Sequence, residues 1–391
     1  MPAWTATLAA ALAGYDSIPA QCKFLDSAEP YSFERVMIPF VVHASDRVRQ
    51  STPQWEASFS DEARAMLERH LLQWLCAVSA ETLPLDFSVY KAVRQSGSVL
   101  GATWVMAGQE ASTKLFDGFV SYLFSGGLLT FFEEYAALAR LVARITDLWI
   151  AFVVEFLSRL DQDRAELASK FGAVGRIDEA IPGLSDRHNN GVTSVRLRFE
   201  NGARCIYKPK NLDSEKKYYE LLDWCNLHGV PLPFRIFSGV YRATHGWVEI
   251  VENLPCLSES EVERYYQRAG ILLCLMYALE ASDCHHENLI ASGEYPVLID
   301  METILQPRVA MLEESGEEDA STVANRVFYW DSVFRTAMLP RWEFGQNGES
   351  YDISGLGGVE GQRTSFHRKV WQHINTDAMQ LKRQALHTKP I

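Results

Sequence analysis

The chain has 391 residues, 47% hydrophobic and 22% charged, enough apolar material for two to three domains' worth of core. Its 37 basic and 50 acidic residues leave a net charge of −13, which argues against a general binder of nucleic acid or anionic membrane, whose affinity rests on neutralising phosphates. Seven scattered cysteines without a Cys-x-x-Cys pair argue against a thiolate zinc site and a disulfide framework, and fit a reducing cytoplasm.

In chain order, MPAWTATLAAALAG is apolar but has no Lys or Arg ahead of it, so it makes a poor signal peptide. Residues 1–180 read as mostly helical. DEARAMLERHLLQWLCA, residues 61–77, is amphipathic with an acidic first turn. Tyr135, Leu138, Val142, Ile145, Trp149, Phe152 and Phe156 recur in steps of three and four, one apolar face of a helix. The most apolar stretch, Trp149 to Leu157, is broken by Glu155 and too short to span a bilayer, so no membrane span is expected.

The pattern changes near Gly183. Ser194–Glu200 alternates polar and apolar, Asn201-Gly202 signals a type I′ hairpin turn, and Ala203–Lys208 returns as a second strand ended by Pro209. Asp213–His228 reads as a helix stopped by Gly229. Arg235–Phe237 and Trp247–Val251 are strand-like, and Glu249–Pro255 is a candidate linker. Ser258 with Glu261 forms a capping box that opens a long helix towards Glu280. Leu289–Ala291 and Pro296–Ile299 flank a Ser292-Gly293-Glu294 turn. This order is that of a protein-kinase-like fold, with a hairpin ending in a lysine, a helix, a linker, a helical lobe and a catalytic hairpin.

Lys208 sits where a kinase lysine holds nucleotide phosphates and pairs with a helix carboxylate; Glu215 and Glu220 are equal candidates for that partner. Asp283 and Asn288 are five apart after the long helix, the spacing of a kinase catalytic loop, where the Asp orients the substrate hydroxyl and the Asn holds magnesium. The neighbouring Cys284, His285 and His286 allow a zinc reading, which adjacent histidines and the lack of a second cluster disfavour. Asp300 follows an apolar strand and is placed like a second magnesium ligand, with Glu302 as the weaker member. Asp186, in Ser185–Gly191, lies where a phosphate-covering loop would be, although the segment has one glycine and not three.

The segments SDRHNNG, YKPK, GWVEIVE and YYQRAGILLCLMYALEASDCHHENLIASGEYPVLIDMET resemble the dehydratase domain of class II lanthipeptide synthetases. FFEEYAALARL, DSVFRTAMLP, YDISGLGG and HINTDAM extend the resemblance over residues 130–380. It implies an α+β fold, with a helical region over 1–180 and a lipid-kinase-like core over 181–391, an N-lobe to about 255 and a C-lobe from 256. It also implies ATP- and magnesium-dependent phosphorylation of Ser and Thr in a precursor peptide, then elimination to dehydroalanine and dehydrobutyrine, in the cytoplasm. Carried onto this sequence, Lys208 contacts ATP phosphates; Asp283, His285 and Asn288 form the catalytic loop; Asp300 and Glu302 handle magnesium; and Asp186 and His188 lie near the phosphates.

Two departures stand out. Ala337 occupies a position where the family pattern leads one to expect Gly, and Arg363-Thr364 does not match the family's elimination motif. The sequence therefore leads to the expectation of a chain truncated before the elimination residues and the zinc cyclase, holding no zinc and served by a separately encoded cyclase. The competing expectations are an inactive peptide- or nucleotide-binding fragment and a small-molecule kinase of aminoglycoside-phosphotransferase type.

Overall fold

The computed structural model describes residues 2–14, 22–95, 112–187, 190–305, 320–325, 328–329, 332–345 and 348–388. It is an α+β chain of two compact units: 1–209 with 370–382, and 210–369 with 383–391.

The first unit begins with helices α1 (Ala3–Ala13), α2 (Glu34–Ser51), α3 (Gln54–Ser58) and α4 (Asp61–Ser79). The Ser60 hydroxyl accepts the Ala63 N–H at 3.1 Å and so caps α4. The Ser60 N–H donates to the Ile177 carbonyl at 2.8 Å, tying the helix start to the sheet. Helices α5 (Thr82–Gln95), α6 (Lys114–Tyr122) and α7 (Leu128–Glu134) lead into the 36-residue α8 (Ala136–Phe171). Leu138, Val142, Ile145, Trp149, Phe152 and Phe156 are buried along one face of α8, where it packs on α1, α2 and α4. The predicted apolar stripe is therefore core from Leu138 on, whereas its first member, Tyr135, is the half-buried N-cap of α8 with a non-helical backbone. Trp55 meets Trp149 edge-on with centroids 6.2 Å apart, and Phe59 packs on Phe156 at 5.7 Å.

Residues 114–134 are long and apolar enough to cross a membrane by length and composition, which the sequence reading passed over. The segment is broken at Ser125–Gly126, where Gly126 takes φ 107°, and it buries Phe116, Phe119, Leu128, Phe131 and Phe132. Tyr122 and Leu129 of the same segment are exposed, so it packs on the core along one side only.

Strands β1 (Ile177–Pro182), β2 (Val195–Phe199) and β3 (Arg204–Lys208) pair antiparallel in sequence order. The β2–β3 turn differs from the expected type I′, because only Gly202 adopts positive φ, at 85°. Gly202 N–H donates to Phe199 O and Phe199 N–H to Ala203 O, a three-residue turn with Gly202 at the bulge position. Asn201 decides this: its side chain accepts the Ala203 N–H and donates to Gly172 O, so it works locally without a left-handed backbone.

In the second unit, α9 (Asp213–Leu227) ends before Gly229, which adopts φ 85°. Strands β4 (Gly239–Tyr241) and β5 (Gly246–Val248) form a hairpin. Arg235–Phe237, expected as a strand, is irregular. Pro231 and Pro233 lack donors, and the Asn226 side chain takes both the N–H and the carbonyl of Phe234, so this backbone is bonded to α9. Segment 249–255 is irregular, but Leu254 bridges to the hairpin formed below by β6.

Helix α10 (Glu259–Ala278) is N-capped by Ser258 as expected. Strands β6 (Leu289–Ser292) and β7 (Tyr295–Leu298) follow, joined through Gly293, the one turn residue with positive φ. Short helix α11 (Ala320–Asn325), a 3₁₀ turn at Val333–Thr336, the pair β8 (Trp342–Phe344) and β9 (Ser350–Asp352), and the ribbon β10 (Arg363–Gln372) and β11 (Gln380–His387) complete the described residues. The core of this unit gathers Tyr218, Tyr219, Leu272, Met276, Cys284, Leu289, Val297 and Leu298, so the α10 face and the β6–β7 hairpin support one another.

Candidate active site

The β6–β7 hairpin brings the acidic residues together. Its last pair is Leu289 with Leu298, and at its open end the Ile299 N–H donates to the Asn288 carbonyl at 3.0 Å. Asn288 and Asp300 therefore flank the same end of one hairpin, though twelve positions apart in sequence. The Asp300 carboxylate accepts the N–H of Glu302 at 3.1 Å, which fixes the turn.

The loop 281–288 folds back over this end. The Asn288 side-chain amide donates to both the backbone carbonyl and the carboxylate of Asp283, at 2.9 and 3.1 Å. His285 Nε2 lies 3.4 Å from the other Asp283 oxygen. Its Nδ1 accepts the Glu287 N–H, which leaves the ring proton on Nε2, facing Asp283. His286 turns away and bonds the Ile353 carbonyl at 2.8 Å. The two adjacent histidines thus serve different partners. Cys284 is buried, and burial pushes its thiol up to about 12, so it acts as a packing residue.

Partial burial raises the Asp283 carboxyl; His285 opposes this and the negative charge of Asp300 adds to it. A carboxylate raised in this way, beside a second one, is suited to exchanging a proton with a hydroxyl.

Lys210 is a cation at Asp300 and Glu302. Its Nζ donates to Glu302 and lies 3.6 Å from Asp300. Sequence reasoning weighed the first lysine of YKPK and passed over the second, because strand-end placement favours Lys208. Two lysines in so short a motif were the available signal.

The loop is held by distant main chain. Cys284 N–H donates to Thr336 O, His286 N–H to Ile353 O, and Gly355 N–H to Ala337 O. A Cβ on Gly355 would lie 2.5 Å from Cys284 O, so only glycine permits this approach. The segments TAMLP and YDISGLGG are the walls of the site, a role their sequence alone does not reveal.

In the first unit, Lys208 ends β3 half-buried. Its neighbour Tyr207 is buried, stacks on Phe156 at 4.7 Å and accepts a hydrogen bond from Arg159 at 2.7 Å. Asp186 is exposed in the β1–β2 loop, and His188 falls outside the described residues. Of the two carboxylates considered for Lys208, Glu220 pairs with Lys217 at 2.6 Å on the surface of α9, whereas Glu215 is buried at 6% exposure.

A family described as a domain of unknown function, DUF4135, matches residues 135–390. The chain belongs to this family and is related to the lanthipeptide synthetases. Among curated proteins, the lacticin 481/lactococcin biosynthesis protein LcnDR2 of Lactococcus lactis subsp. lactis is 31% identical over 160 residues. That match covers 39% of this chain and 17% of the relative. The DUF4135 match takes in both loops and every acidic residue discussed above, from Asp186 to Glu302.

Proposed function

We propose that this chain phosphorylates Ser and Thr hydroxyls of a lanthipeptide precursor with ATP, the first half of their dehydration. The observation that supports it best is the hairpin-end cluster of Asp283, His285, Asn288 and Asp300 with Lys210 alongside. The lipid-kinase-like bilobal arrangement, the roles of Lys208, Asp186 and His188, and a cytoplasmic location come from the resemblance.

In this reading Asp283 orients the peptide hydroxyl and takes its proton as the oxygen attacks the γ-phosphorus of ATP. The bond to the β-phosphate oxygen breaks and ADP leaves. His285 and Asn288 hold the Asp283 carboxylate in place. Elimination would then remove the Cα proton and expel phosphate from Cβ.

Asn288, Asp300 and Glu302 offer oxygen donors, which suit magnesium. Among the described residues no three His, Cys, Asp or Glu side chains gather into a metal cage. Magnesium carried on a nucleotide needs only one or two protein carboxylates, so the donor set fits. The ion, when bound, neutralises charge on the transferring phosphoryl group. Lys210 balances the charge of Asp300 and Glu302.

The test is incubation with a candidate precursor peptide and Mg-ATP, followed by mass spectrometry. Gain of phosphate or loss of water supports the proposal. Phosphate transfer to an aminoglycoside with the peptide untouched would replace it with the small-molecule reading, and nucleotide binding without turnover with that of a binding module.

A further inference from the structure

The loop between β1 and β2, which carries Asp186, is fastened to helix α4 by side chains. The Arg187 guanidinium lies over the Trp74 ring at 4.8 Å from its centroid and 3.4 Å from His70 Nε2. His70 and Trp74 are four residues apart on α4 and so share a face. Glycines at both ends of the loop meet that face. A Cβ on Gly183 would come 3.6 Å from His70 Nε2, and one on Gly191 would lie 2.0 Å from Trp74 Cη2. Gly191 also takes φ 89°, a conformation L side chains rarely adopt. The indole thus occupies the space of any side chain at 191, and the arginine closes over its ring.

We infer that Trp74, with Arg187 and Gly191, is a positioning device that holds the Asp186 loop in its working place. This deepens the proposed phosphotransfer and rests on that reading for what the loop does. Burial and the charge of Arg187 push His70 down to about 4, so near neutrality its Nε2 can face the guanidinium as an acceptor. None of the three need touch substrate. They act through the loop.

Trypsin cleaves after Arg187 only when that side chain is released, so cleavage there, mapped by mass spectrometry, reads docking without any activity. Trp74→Ala removes a partly desolvated cation–π interaction and should speed this cut about tenfold. Gly191→Ala should do the same, and its effect should shrink in the Trp74→Ala background, because the two residues act at one point of docking. Trp74→Phe, which keeps a ring under the guanidinium, should stay close to wild type. In the peptide assay, Trp74→Ala should lower kcat about tenfold or more with little change in peptide KM, because a displaced group costs rate rather than affinity.

Unchanged cleavage in Trp74→Ala overturns the docking. Faster cleavage with wild-type kcat overturns the positioning role. If the wild type turns over no peptide, the phosphotransfer reading falls and the positioning role with it, while the protease result still decides whether the loop is docked.

Discussion

The two loops that carry the candidate catalytic residues differ in what docks them against the rest of their unit. Loop 281–288 is fixed by backbone hydrogen bonds to Thr336 and Ile353 and by the close approach of Gly355. The loop that carries Asp186 is closed at its base by Leu184 N–H to Ser194 O and by Thr193 Oγ1 to Ser185 O, and is docked on helix α4 by the Trp74 ring, the Arg187 guanidinium and the close approach of Gly191. Main-chain bonds survive most side-chain changes, because every residue other than proline carries the same donor and acceptor. Side-chain docking hangs on a few identities. The first loop should therefore yield to changes in its walls or its acids, and the second to point changes in its fastening.

The largest effect should come from the acids. Asp283→Asn and Asp300→Asn should each reduce phosphate transfer about a thousandfold, several kcal/mol of barrier, with melting temperature little changed. Lys208→Met should act in the same direction, and Lys210→Met more weakly. Wild-type rates in either Asp variant would sink the assignment of the hairpin end.

A smaller effect should follow from breaking a wall. Gly355→Ala places a Cβ against Cys284 O and should cost about 1–3 kcal/mol of stability, read by denaturant unfolding, with loss of activity. Normal stability and activity would show that the loop does not depend on this approach.

Acid offers a third test, specific to the loop docked by side chains. The folded-state pKa of His70 is lowered to about 4, so between about 4 and the ordinary 6.5 the unfolded chain binds the extra proton. Its contribution is therefore full above 6.5 and lost as pH falls towards 4. Its ceiling is about 3 kcal/mol, which solvent screening reduces to about 1–2. His70→Gln should flatten the stability-versus-pH curve in that window, and an unchanged slope would show that His70 is not the group responsible.

The smallest expected effect is a gain. Ala337 adopts φ 60°, a left-handed backbone that costs a side-chain-bearing residue about 1 kcal/mol. Ala337→Gly relieves it and gives back part through unfolded-chain entropy, for a net gain of about 0.5 kcal/mol. A melting temperature below wild type would contradict the strain.

Much of the fold was legible because its signals are local. The α8 stripe, the acidic first turn of α4, the Ser258 helix start, Gly229 after α9 and the β6–β7 hairpin each depend on residues a few positions apart. The Asp283–Asn288 spacing was legible too, since a loop between a helix and a hairpin must fold back on itself. Arg235–Phe237 was misread because the competing partner, the side chain of Asn226, lies on the preceding helix. The Asn201-Gly202 turn was misread because Gly172 recruits the asparagine.

What the sequence by itself determined is the inventory: which residue types stand at which spacing, hence which elements form and which acids end a strand. Periodicity and capping act over a few residues, so no tertiary information is needed to read them. Only the tertiary structure decided that Lys210 serves Asp300 and Glu302, that Thr336 and Ile353 hold loop 281–288, and that Trp74 excludes a side chain at 191. Each joins residues tens of positions apart, set by how whole elements pack, and no short-range pattern encodes it.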